Sequence, residues 1–417
     1  MSILSFMRKK ALALAAVIAV AGLMRFINLA SPNELVFDEV YYVNGAQDYL
    51  KNGVETKDGK PEFVVHPPVG KWMIAAGITL FGDNSFGWRF SAALVGTLSI
   101  LLIFLVARKL FSSYLLGMFA AILTLFDGLH LVMSRTALLD IFLMFFLLLG
   151  FLLTLYDRHW LAAMSFGLAL GTKWNALYFI VAIVAYLVYK KRSLIFQYLI
   201  ATPLAYLASW TGWFLSSQGW KRDSSNNPFL AFYNYHREIL NFHTKLTTEH
   251  SYQANPWNWL VLGRPTSFFY STSKDCGVES CAREILALGT PLLWWAGIFA
   301  IAITIGYFLH RRDNISFLIL LAIGASYLPW FLFQKRTMFY FYSIAFEPFL
   351  ILSLVYVIWR ALGNGEISPL LRVHRLKYVY GGLALIGLCF LYFLPIFLGI
   401  SLPYDSWYSR MWLPSWI

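Results

Sequence analysis

The chain has 417 residues, is 59% hydrophobic and only 13% charged, and carries a net charge of +12. Soluble domains are about a quarter charged, so an ordinary soluble domain is excluded. Its apolar runs are continuous rather than alternating, which excludes a transmembrane barrel and leaves an all-α polytopic membrane protein.

In chain order the apolar periodicity predicts about 11 spans, starting near Ala11, Phe86, Tyr114, Ala137, Trp160, Asn175, Leu194, Thr290, Ile315, Met338 and Tyr378. The first follows "MRKK" with no clear small-residue cleavage site behind it, and reads as a retained anchor rather than a signal peptide. The fifth and sixth spans are short and meet at "GTKWN", a broken or tilted pair. Long segments at 31–85 and 217–289 separate the spans as two outer loops of a single domain covering 1–417.

Basic residues in the short loops set the orientation. "MRKK", Arg108–Lys109, Arg158, "KKR" at 190–192, Arg311–Arg312 and the 359–377 segment share one side. That side holds fifteen Lys/Arg against three acids (Asp157, Asp313, Glu366), which is the whole net charge; the rest cancels. The excess marks the cytoplasmic face and implies no nucleic-acid partner. The N-terminus is then cytoplasmic, and the C-terminus lies outside with its "YDSWYSRMWLPSWI" suited to the interface.

The first outer loop opens with "LVFDEVYYVNGAQDYL". Val36, Val40, Val43 and Leu50 recur at helical spacing, predicting a short helix on the membrane with Asp38 at its start. Asp38 is also a good helix cap, the plainest reading of such an acid. "VVHPPVGKWM" follows, where the prolines favour an extended chain and His66 and Lys71 lie near the next span.

Charges at a membrane edge are costly and need a reason. Asp38, Glu39, His66, Lys71, Arg89, Asp127, Arg135, Asp140, Lys173, Lys335 and Arg336 cluster at the outer end of the predicted spans. A one-sided cluster suits an enzyme at the outer interface better than a transport path. Each cation alone is equally an ordinary snorkelling side chain; several together form a cradle for an anionic headgroup. Glu347 falls deep in the tenth span, where pairing with a buried base and helix packing are both open. In the second loop Cys276 and Cys281 of "CGVESC" are placed to oxidise, and Cys389 lies within a span.

Taken in order, "FDEVYY", "HPPVGKW", "GWRFSAALVG", "DGLHLVMSRTALLDIFLMFF", "GTKWNALY" and "RTMFYFY" resemble the protein O-mannosyltransferase family. The compact length and "MWLPSWI" resemble its actinobacterial, polyprenol-phosphate-mannose-dependent branch. The resemblance implies a GT-C type glycosyltransferase that moves one mannose from polyprenyl-phosphate mannose to Ser/Thr hydroxyls of secreted or membrane proteins, delivered during secretion. It implies Asp38 as catalytic base with Glu39 beside it. Lys173, Arg336, Arg89 and Arg135 would hold the donor phosphate, with His66, Asp127 and Asp140 supporting. No cofactor and no obligatory metal are expected. A GT-C transferase acting on a lipid or polysaccharide, and a flippase for lipid-linked sugar, are the competing readings.

Overall fold

The computed structural model describes residues 3–363 and 368–417; Glu366, counted above on the basic side, lies outside the described residues. Each predicted span contains helix, in segments as short as 12 residues. The first half contains α1 (Ile3–Phe26), α2 (Glu39–Asn52), α3 (Val69–Phe81), α4 (Ser85–Phe111), α5 (Tyr114–Leu125) and α6 (Gly128–Met133). It continues with α7 (Leu139–Leu155), α8 (His159–Leu170), α9 (Ala176–Lys190), α10 (Ile195–Ser209) and the single turn α11 (Thr211–Leu215). Then come α12 (Pro228–Lys245), α13 (Pro256–Trp259), α14 (Pro291–Arg311), α15 (Asn314–Tyr327), α16 (Glu347–Ala361), α17 (Pro369–Leu398) and α18 (Tyr404–Tyr408).

Four described segments are both long and apolar enough to cross a membrane: Ser85–Phe111, Pro291–Arg311, Asn314–Phe333 and Pro369–Leu398. Others, α7 to α9 among them, are apolar but shorter. The helix expected from Tyr378 begins nine residues earlier, because Ser368 caps it and Pro369 sits at its first position.

The cores of α4 and α7 form the centre of the bundle, and α7 is buried along nearly its whole length. It packs on α4 and α8, and α8 packs on α10. Against α4 lies α3, absent from the expected spans. The two approach so closely that a Cβ added at Gly77 would stand 2.3 Å from the Gly87 carbonyl oxygen.

The two long loops are structured. In the first, β1 (Thr56–Lys57) and β2 (Lys60–Pro61) form a small hairpin between α2 and α3. In the second, Asn227 accepts from the backbone N–H groups of Phe229 and Leu230 and so starts α12 at Pro228. Further on, β3 (Thr266–Ser273), β4 (Cys281–Ala287) and β5 (Leu402–Pro403) make an antiparallel sheet in that order. Cys276 and Cys281 are bonded across the β3–β4 turn, and Cys389 is free and buried.

Candidate active site

The predicted face of α2 is met in part: Val36 and Val43 are buried, and Val40 and Leu50 are not. Glu39, Tyr42, Val43 and Ala46 are the buried stripe, whereas Val40 and Leu50 are 38% and 48% exposed. The helix therefore packs on the bundle through the side that carries Glu39 and Tyr42. At its start, Asp38 is helical (φ −71°, ψ −5°) and makes no side-chain capping bond. The capping role foreseen for it is unfilled. Its carboxylate instead accepts from the Tyr42 hydroxyl at 3.4 Å. Burial pushes the Asp38 carboxyl up to about 6, against the pull of the Lys173 charge and with the help of Asp140.

Glu39 has the opposite surroundings. It is fully buried and paired with Arg89 by two 2.8 Å bonds, Nε to Oε1 and Nη2 to Oε2. It also accepts from the backbone N–H of Val36 and of Ala137. The remaining Arg89 N–H groups go to the carbonyls of Leu29, Pro32 and Glu34. Arg135 donates to the carbonyls of Met24, Arg25, Ile27 and Asn28, closing the end of α1. Arg89 and Arg135 were expected at a donor phosphate. The Arg89 donors are all committed to backbone and to Glu39, and Arg135 binds backbone carbonyls through Nη1 and Nη2, so both fasten the segment that leads into Asp38. Asp127 is likewise a fastener: it accepts from the N–H groups of His130, Thr290 and the Trp294 indole.

Lys173 stands in the turn between α8 and α9. Its ammonium donates to both oxygens of Asp140 at 3.0 and 2.9 Å and lies 4.6 Å above the Tyr342 ring. Both partners of the pair are buried. Lys173 and Arg336 line one cleft with His66, His243, Trp174 and Trp330. Arg336 lies over the Trp330 ring, donates to the His243 carbonyl, and has one guanidinium nitrogen 3.4 Å from His243 Nδ1. Unlike Arg89, it keeps donor capacity for a ligand. Because His243 Nε2 donates to the Val65 carbonyl, its Nδ1 faces Arg336 as an acceptor. Burial drives His243 down to about 4, so it adds no third positive charge. His66 is also held neutral, chiefly by burial and then by Lys173, and its buried Nδ1 has no partner among the described residues.

Lys71, foreseen near the site, instead forms a buried pair with Glu55, which also accepts from Tyr49. Glu347 is buried with both carboxylate oxygens unpartnered among the described residues. Sequence reasoning missed His243 and the Trp174 clamp. Trp174 donates to Tyr206, whose hydroxyl bonds His236 of α12 at 2.6 Å. The "NNPF" cap signal ahead of α12 was the available clue.

The cleft lined by Lys173 and Arg336 is carried by a fold seen in solved structures. The S. cerevisiae protein O-mannosyltransferase complex bound to the sugar donor superposes with a TM-score of 0.81, over 98% of this chain and 93% of that one, at 15% identity. ArnT from Cupriavidus metallidurans in the apo state gives 0.62 over 92% and 76%, at 16% identity. The fold is that of the GT-C glycosyltransferases. Family regions described as dolichyl-phosphate-mannose-protein mannosyltransferase match residues 15–85 and 65–217, and the C-terminal four-transmembrane region of protein O-mannosyltransferase matches 228–416. The polyprenol-phosphate-mannose–protein mannosyltransferases of Corynebacterium glutamicum and Mycolicibacterium smegmatis (strain mc(2)155) are 32% and 30% identical. Each alignment covers 96% of this chain and 92% of the relative. The chain belongs to the protein O-mannosyltransferase family, and is a multi-pass membrane glycosyltransferase.

Proposed function

We propose that the protein transfers one mannose from polyprenyl-phosphate mannose to Ser or Thr hydroxyls of proteins at the outer face of the cytoplasmic membrane. In this reading residues 1–417 form one GT-C unit, and the 31–85 and 217–289 loops carry the outer cleft. The acceptor oxygen attacks the anomeric carbon, and the bond to the phosphate oxygen breaks with its electron pair leaving on phosphate. The hydroxyl proton passes to Asp38, and a single displacement inverts the centre. Lys173 and Arg336 neutralise the charge that grows on the leaving phosphate. The names of the full-length relatives support the substrate classes. The observation that carries the base assignment is an Asp38 carboxylate that makes no capping bond and that burial pushes up to about 6 against the Lys173 charge.

The test is Asp38→Asn in purified protein, supplied with polyprenyl-phosphate mannose and a Ser/Thr peptide. Loss of a general base lowers transfer by about 10²–10⁴-fold while donor binding persists. Asn caps a helix as well as Asp, so a folded variant with normal turnover would remove Asp38 from the mechanism. Donor movement by the wild-type protein without peptide mannosylation would instead favour a flippase.

A further inference from the structure

Phe37, directly before Asp38, has φ +49°. This left-handed conformation is rare for a bulky side chain, because the Cβ crowds its own backbone. Something must hold it there, and the ring shows what. It stacks on Phe268 of β3 at 5.0 Å between centroids. The edges of Phe339, Phe341 and His250 close around it at 5.6, 5.7 and 6.0 Å. The cage is thus assembled from both outer loops and from the segment that follows Arg336.

The consequence falls on the next residue. A capping Asp has extended backbone and folds its carboxylate onto the first N–H groups of the helix. Asp38 follows the left-handed Phe37 in helical geometry, and only its backbone carbonyl joins the helix, accepting from Tyr41 and Tyr42. The side chain is left for Tyr42 and the Lys173–Asp140 pair. We infer that Phe37 is a positioning residue, whose caged ring holds the backbone turn that keeps the Asp38 carboxylate off its own helix and directed at the reaction. This inference rests on Asp38 being the base.

The test compares Phe37→Ala, Phe37→Tyr and Asp38→Asn in the full-length protein, with donor affinity, kcat and pH profile measured for each. Three groups face Asp38: Tyr42 of α2, Asp140 of α7 and Lys173 of the α8–α9 turn. None is altered by the Phe37 changes. Phe37→Ala should lower kcat by between about tenfold and a hundredfold, the usual loss on misplacing a reacting group, at unchanged donor affinity. Its acid limb should move from near pH 6 toward the ordinary carboxylate range, since a relaxed Asp38 is better solvated. Phe37→Tyr, which keeps the ring, should retain kcat and profile. If Phe37→Ala does not fold, the half-buried Phe339→Ala is read in the same way. Wild-type kcat and pH profile in the alanine variant, with Asp38→Asn inactive, would overturn the role of Phe37 and leave the base reading intact. An active Asp38→Asn would overturn the base reading itself.

Discussion

Asp38 accepts one phenolic O–H, while its neighbour Glu39 accepts two backbone N–H groups and a two-pronged guanidinium. Glu39→Gln therefore leaves Arg89 buried without a counter-charge, which typically costs about 3–5 kcal/mol. The expected outcome is poor accumulation or a lowered melting temperature, with Asp38→Asn unaffected in that assay. The two cations of the cleft should also separate. Arg336→Ala removes a contact of the charge-assisted kind, worth about 1.5–3 kcal/mol. Donor affinity should fall with only a small loss of thermal stability, from the contacts to His243 and Trp330. Lys173→Met should lose both, because Asp140 is left buried and unpaired. Adding Asp140→Asn should restore melting temperature but not donor binding, as read by calorimetry with a soluble donor analogue. The kinds of residue and their shared side of the membrane were legible in sequence, since each charge stood alone among apolar neighbours. Which acid meets which base was not legible. Glu39 and Arg89 are fifty residues apart, and their pairing is decided by how α2 packs on α3, which in turn packs on α4.

The roll of α2 was judged only in part: Val36 and Val43 are buried as weighted, but the bundle also buries Tyr42 and Glu39 and leaves Val40 exposed. Polar partners supplied by other helices made the more hydrophilic side the inner one. The α12 helix went unseen for a related reason. Its buried stripe of Ala231, Tyr235 and Ile239 is weakly apolar, and it is held by specific bonds. His236 Nδ1 donates to the Phe232 carbonyl, so its Nε2 accepts the Tyr206 hydroxyl, which in turn accepts from Trp174. Tyr206→Phe breaks two bonds, at about 0.5–1.5 kcal/mol each. It should raise the donor dissociation constant several-fold through the Lys173 turn while leaving the pH profile in place. The β3–β4 turn makes a contrasting case. Opening the short Cys276–Cys281 loop with a double serine variant should cost about 2 kcal/mol. Faster proteolysis at 274–280 is expected, with transfer retained, because the bond lies at the tip of the hairpin.

The order of helical segments was the most legible feature of all, because lipid permits so few alternatives to a helix. What hydropathy misjudged were lengths. Segments such as α5, with 12 residues, fall short of a bilayer and owe their positions to neighbours, whereas the shortness of α8 was foreseen. The basic loops still make a firm forecast. Tags inserted at Lys191 and in the 359–377 segment should be protected in intact cells, and one near Asn226 should be accessible. The reverse pattern would move the cleft to the cytoplasmic face and away from any secreted acceptor.

The committed pair of Lys173 with Asp140, set beside the freer Arg336, bears on what happens after the sugar has left. A mannosyl phosphodiester carries one negative charge; the polyprenyl phosphate that remains is a monoester carrying about −1.5 to −2 near neutrality. The spent lipid is thus the better match for the two cations. Product should be retained more tightly than substrate, and polyprenyl phosphate should inhibit competitively against the donor, more weakly at high ionic strength or in Arg336→Ala. Empty carrier that is not cleared then occupies the cleft against the next donor, and its removal from the membrane becomes a control on how fast proteins are mannosylated.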